Sequence, residues 1–135
     1  ARQATIVAAK WWTNTIANPT MDSFSNEEKD KNKSFFITNF AHKFATMEFA
    51  KTDEDQFELF CSFLIQRIEN ELKKTSEITL YCDYKPCDIL KETADKVGID
   101  PCFFPFFRYM NISNDSVKLK KGQMASWIQL YPATE

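Results

Sequence analysis

The sequence predicts an α+β domain: three N-terminal helices, then a β-α-β-β-β series whose small, mostly antiparallel sheet packs on the helices. Three observations carry this expectation. Apolar residues recur every three or four positions through most of the first 74 residues, which is the helical period. After Ser76 the recurrence changes to every second position, the strand period. The pair Asn114-Asp115, between YMNI and VKLK, tolerates the backbone of a tight turn and so marks an antiparallel hairpin. At 135 residues the chain fits a single core, and residues 1–135 are read as one domain with a flexible polar connection at 20–33.

The first helix, residues 4–18, places Val7, Trp11, Trp12 and Ile16 on an amphipathic stripe and stops at Asn18-Pro19. Residues 20–33 (TMDSFSNEEKDKNK) are polar and charged, the composition of a connection. In the second helix, residues 34–51, Phe36, Phe40, Phe44 and Met47 line one face and Ile37 widens it. Thr52 is the expected cap of the third helix, residues 53–74, and Asp53, Glu54 and Asp55 complement the positive end of its dipole. Its stripe is Phe57, Cys61, Leu64, Ile68 and Leu72, while Lys73 and Lys74 suit its carbonyl end. Phe60, Phe63 and Ile65 lie off that stripe, which predicts a central helix, the longest in the fold.

The first strand is predicted from Ile78, Leu80 and Cys82 alternating with Thr79, Tyr81 and Asp83. A short helix then runs from Pro86 or Cys87 to Val97, with Gly98 placed for the left-handed position past its end. Residues 102–112 (CFFPFFRYMNI) are β in composition. Pro105 cannot donate to a ladder, so pairing is expected to begin after Phe106. A last strand, residues 126–131, follows the break at Gly122 and ends at Pro132.

Composition excludes several chemistries. Seventeen Lys and Arg against nineteen Asp and Glu give a net charge of −2, without the broad positive field that draws in phosphate, so nucleic acid is not an expected partner. Two glycines, Gly98 and Gly122, leave no room for a phosphate-cradling loop. The lone histidine, His42, would have to serve any triad, and it points away from the Phe36-Phe40-Phe44 stripe toward solvent. No cofactor is expected. No apolar run approaches the roughly 18 to 20 residues that span a bilayer, so no membrane insertion is expected. The start, ARQATIVAAKWW, lacks a signal-peptide pattern and Ala1 suits a clipped initiator methionine. A cytoplasmic location is therefore expected, with secretion after removal of an upstream signal as the alternative. Cys61, Cys82, Cys87 and Cys102 are read as reduced thiols, against a bridge from Cys82 or Cys87 to Cys102.

The most site-like segment is YCDYKPCD, residues 81–88. Two thiols, Asp83, Asp88 and Lys85 meet at a strand-to-helix junction, where backbone amides can lower a thiol pKa. The C-x4-C spacing fits neither a redox pair nor a zinc knuckle, so no metal is expected and a structural turn with buried sulfur is the leading reading. Cys87 is the reactive-thiol candidate. Trp11 and Trp12 diverge by about 100° on a helix and cannot both centre one buried face, which makes them candidate partner contacts. Arg108 and Tyr109 lie within reach of the 81–88 segment and are the remaining binding candidates. Lys118, Lys120 and Lys121, with Phe107 and Tyr109, offer a phosphate- or base-contacting surface, but guarding of an exposed edge strand is the leading reading of these lysines.

The segments AAKWW, CDYKPCDILKETADKVGI and FPFF, the last ahead of a hairpin and a final strand, together resemble small proteins of phages and mobile elements of gut bacteria. The resemblance brings no catalytic residue and implies an accessory protein that acts on a host protein. The expected function is a non-enzymatic protein-binding module. The alternative is a small enzyme or ligand-binding domain with a pocket near the 82–88 turn.

Overall fold

The structure is a computed structural model, and the residues it describes are 2–18 and 54–132. They form α1 (Gln3–Ala17), α2 (Glu54–Leu72), β1 (Glu77–Cys82), α3 (Asp88–Val97), a 3-10 turn (Pro101–Phe103), β2 (Arg108–Ser113), β3 (Val117–Lys120) and β4 (Ile128–Tyr131). The class is α+β and the sheet is antiparallel throughout, in the order β1-β2-β3-β4. Among the described residues two helices precede the first strand rather than three. The expected helix at 34–51, the connection at 20–33, His42 and the Thr52 cap lie outside the described residues.

The buried line of α1 runs through Ala4, Ala8, Trp12 and Ile16, with Thr5 and Ala9 beside it. These positions are spaced by four, so they share one helix face, and Val7 and Trp11 fall about 100° to its side and are only partly buried. Trp12 and Ile16 of the expected stripe thus lie on the buried line, while Val7 and Trp11 do not and alanines complete it. α1 packs on α2, whose Phe60, Leu64, Ile68 and Leu72 are buried in the same core. Phe60, expected off the stripe, is fully enclosed, while Phe57 and Cys61 are partly buried. The helix ends at Leu72, so Lys73 and Lys74 fall in the turn that follows.

The N-terminus of α1 is capped from α2. Arg2 stands at the N-cap position without a side-chain cap of its own, and its backbone N–H donates to Glu69 Oε1 at 2.7 Å. The Arg2 guanidinium pairs with Glu69 Oε2, and the Thr5 hydroxyl donates to the same oxygen at 3.3 Å. Partial burial pushes the Glu69 carboxyl up, but the Arg2 backbone N–H, the guanidinium and Thr5 together outweigh it and hold the carboxyl below its ordinary value. A carboxyl depressed in the folded state stabilises the fold above its unfolded pKa, and this contribution is lost as pH falls through the folded value. Glu69→Gln is therefore expected to be less stable than the parent at neutral pH, with the gap closing at about pH 4 and below. Denaturant midpoints of the two proteins across pH measure this, and a gap that stays constant would refute it.

α3 begins at Asp88, with Cys87 extended at the N-cap, so Cys87 precedes the first helical turn instead of occupying it. The chain is held extended there because the Cys87 N–H donates to Tyr81 O at 2.9 Å and Pro86 bridges to Cys82. At the other end Gly98 adopts φ 74°, a left-handed conformation, and the Ile99 N–H reaches back to Ala94 O at 2.9 Å. Gln56 of α2 donates from its amide to Val97 O at 3.0 Å, which ties the two helices at this cap.

In the sheet, Leu80, Cys82, Met110, Ile112, Val117 and Leu119 point to one face and join the helices in the core. Pairing of β2 starts at Arg108, immediately past the FPFF run. The β2–β3 turn is closed by Ser113, whose backbone N–H donates to Ser116 O at 2.9 Å while its hydroxyl accepts from the Ser116 N–H at 3.1 Å. A register shift between Val117 and Lys118 accommodates β4.

Candidate functional site

Strand alternation sends Thr79, Tyr81, Tyr109, Asn111, Lys118 and Lys120 to the face opposite the helical core. The antiparallel register orders them into two rows. Tyr81 lies opposite Tyr109 and Tyr109 opposite Lys120; Thr79 lies opposite Asn111 and Asn111 opposite Lys118, which in turn faces Gln129. Trp127, just ahead of β4, extends the first row beyond Lys120. Aromatic rings thus stand on one side of a lysine and on the other across the sheet.

The Lys120 ammonium lies 5.7 Å from the Tyr109 ring centre and 6.0 Å from that of Trp127, within the range of cation–π attraction. Thr79, Tyr109, Asn111, Lys118, Lys120 and Trp127 line a shallow open concavity of about 430 Å³. Among the described residues no carboxylate comes within ion-pair distance of Lys118, Lys120 or Lys121. Several acids of α2 and α3 pair elsewhere: Arg67 reaches Glu92 at 2.5 Å and Glu71 at 3.4 Å, and Lys91 reaches Asp95 at 3.3 Å. Chemically, the concavity offers cations, a hydroxyl and an amide beside apolar ring surface. Large apolar groups continue past it, since Trp127 is 49% exposed, Ile128 50% and Met124 84%.

Of the sequence candidates, Tyr109 is in this concavity. Arg108 is not. It shares strand parity with Met110 and Ile112, so its side chain enters the buried face, where Nη1 donates to Phe106 O at 2.9 Å and holds the turn in which Phe107 takes φ 55°. Phe107 is buried as well and is packed edge-on against Tyr84, with ring centres 5.0 Å apart. Trp12 is fully buried, with its ring centre 6.1 Å from that of Phe104, and so drops out as a contact residue. Trp11 keeps some exposed surface and stacks edge-to-face on Trp12 at 4.9 Å. Cys82 and Cys87 are both buried, so the thiols of the 82–88 turn are sequestered from solvent, and Cys61 is partly buried.

The lysines also change meaning. β3 is the third of four strands, so Lys118 and Lys120 are interior to the sheet and do not guard an edge. Trp127, Thr79 and Asn111 were missed from the sequence. Their only local signal is strand parity, and which partners they meet depends on a register fixed by residues far along the chain.

Among the described residues no group of three or more His, Cys, Asp or Glu is placed to hold a metal ion, and no helix is long and apolar enough to cross a membrane. Compared with known proteins, the chain matches no protein-family model and no curated protein.

Proposed function

We propose that this chain is a non-enzymatic binding module for a protein partner, and that its contact surface is the face of the sheet opposite the described helices, around Tyr109, Lys118, Lys120 and Trp127. The observation that carries the reading is the row Tyr81–Tyr109–Lys120–Trp127, which places three partly or largely exposed aromatic rings on one face, away from the helix-packed core, with Tyr109 resting on the small Phe106–Phe107 cluster. Tyr and Trp contribute disproportionately to protein interfaces because they offer large rigid area with a polar edge. The resemblance to phage and mobile-element proteins supports a host protein as the partner and a role as an accessory protein in a host cytoplasm. The alternative, chemistry at the 82–88 turn, has less support because both thiols there are buried.

Trp127→Ala is expected to weaken binding of the partner by about 2 kcal/mol or more, roughly 30-fold, with little change in thermal unfolding because the ring is half exposed. Calorimetric titration of the two proteins with a peptide selected on the parent chain from a random display library measures it. Equal affinities would place the interface elsewhere.

A further inference from the structure

We infer that the concavity lined by Thr79, Asn111, Lys118 and Lys120 receives a carboxylate, and that the occupant of the face is an acidic peptide segment of the partner. The inference rests on the proposed protein-binding function and adds the chemistry of what is bound. Its first support is charge. Lys118 and Lys120 sit side by side in the two rows with no carboxylate of the described residues within ion-pair distance, whereas Glu71, Glu92 and Asp95 on the helices are paired with Arg67 and Lys91. An ammonium flanked by rings is partly shielded from water, so its attraction to an incoming carboxylate is stronger than that of a fully solvated lysine.

The second support is hydrogen bonding. The Thr79 hydroxyl and Asn111 amide stand in the same row as Lys118, and all three can donate to one carboxylate, whose two oxygens accept several bonds at once. The third is the adjoining apolar surface. Trp127, Met124 and Ile128 are exposed beside the cations, so an acidic residue flanked by apolar ones satisfies both parts of the surface.

A nucleic acid strand fits less well. Base stacking needs free ring faces, whereas Tyr109 and Trp127 both turn toward the Lys120 ammonium. The chain's net charge of −2 also gives no long-range attraction for a polyanion.

The test is selection from a random heptapeptide display library on the folded chain and on Lys118→Met/Lys120→Met, with circular dichroism to verify that the variant is folded. Lys118→Gln/Lys120→Gln serves as a second variant should the first misfold. The peptides recovered by the parent are expected to be enriched in Asp and Glu next to apolar residues, and the enrichment is expected to vanish with the variant. A selected peptide should lose about tenfold in affinity when its acidic residue is replaced by the amide, the loss of one charge-assisted contact. Peptides without acidic enrichment that still depend on Trp127 would overturn the carboxylate inference while leaving the protein-binding reading intact. Recovery of no peptide would overturn the inference. Binding of a ten-residue oligothymidylate that weakens with salt and is lost in the lysine variant would overturn both.

Discussion

Trp12→Ala is expected to destabilise the fold by about 3–5 kcal/mol, the range for deleting a large buried aromatic ring. The indole is fully enclosed at the centre of α1, where the neighbouring buried positions 4, 8 and 9 are alanines and cannot close the space by repacking. Two aromatic contacts go with it, one to Trp11 and one to Phe104. The same side chain carries a cost, because its Nε1–H is buried without an acceptor among the described residues, a loss of hydration worth about 1–3 kcal/mol. Trp12→Phe removes that donor while keeping an aromatic ring in place. It is therefore expected to cost less than half as much as Trp12→Ala, since the relieved donor offsets much of the lost ring area. Urea midpoints at unchanged slope for the three proteins decide the matter. A Phe variant as unstable as the Ala variant would mean that the indole N–H is satisfied in solution.

What the sequence disclosed and what it hid divide along a physical line. Features set by local chemistry were legible. The two-residue period marked β1, Pro105 delayed pairing until Arg108, Asn114-Asp115 closed the β2–β3 turn, and Gly98 supplied the left-handed end of α3. Features set by distant partners were not. Arg108 reads as an available cation until the register gives it the parity of Met110 and Ile112 and sends it inward. Lys118 and Lys120 read as edge guards until β4 pairs with β3 and makes it interior. In α1 the larger residues drew attention away from the alanine line, although small residues at every fourth position are what let one helix approach another. The candidate site belongs to this second group, since its row of rings and cations exists only once four strands are aligned.

Leu64→Ala, the second large effect, is expected to cost about 2–5 kcal/mol. Leu64 is fully buried in the middle of α2, the longest helix among the described residues at 19 residues, and this helix touches α1, α3 and β1. Its neighbours on the buried face, Phe60 and Ile68, are one turn away on either side and are also fully enclosed, so both are already committed to other contacts. The void left by the leucine would therefore stay largely open, which argues for the upper half of the range, because the cost grows with residual cavity volume. Leu59→Ala makes the control. Leu59 lies on the same helix but is 49% exposed, and its truncation is expected to change stability by about half a kcal/mol or less. Chemical unfolding of both variants separates the effect of burial from that of helix propensity, since the two changes are the same in propensity. A Leu64→Ala loss under half a kcal/mol, or equal losses at the two sites, would mean that α2 does not face the core as described.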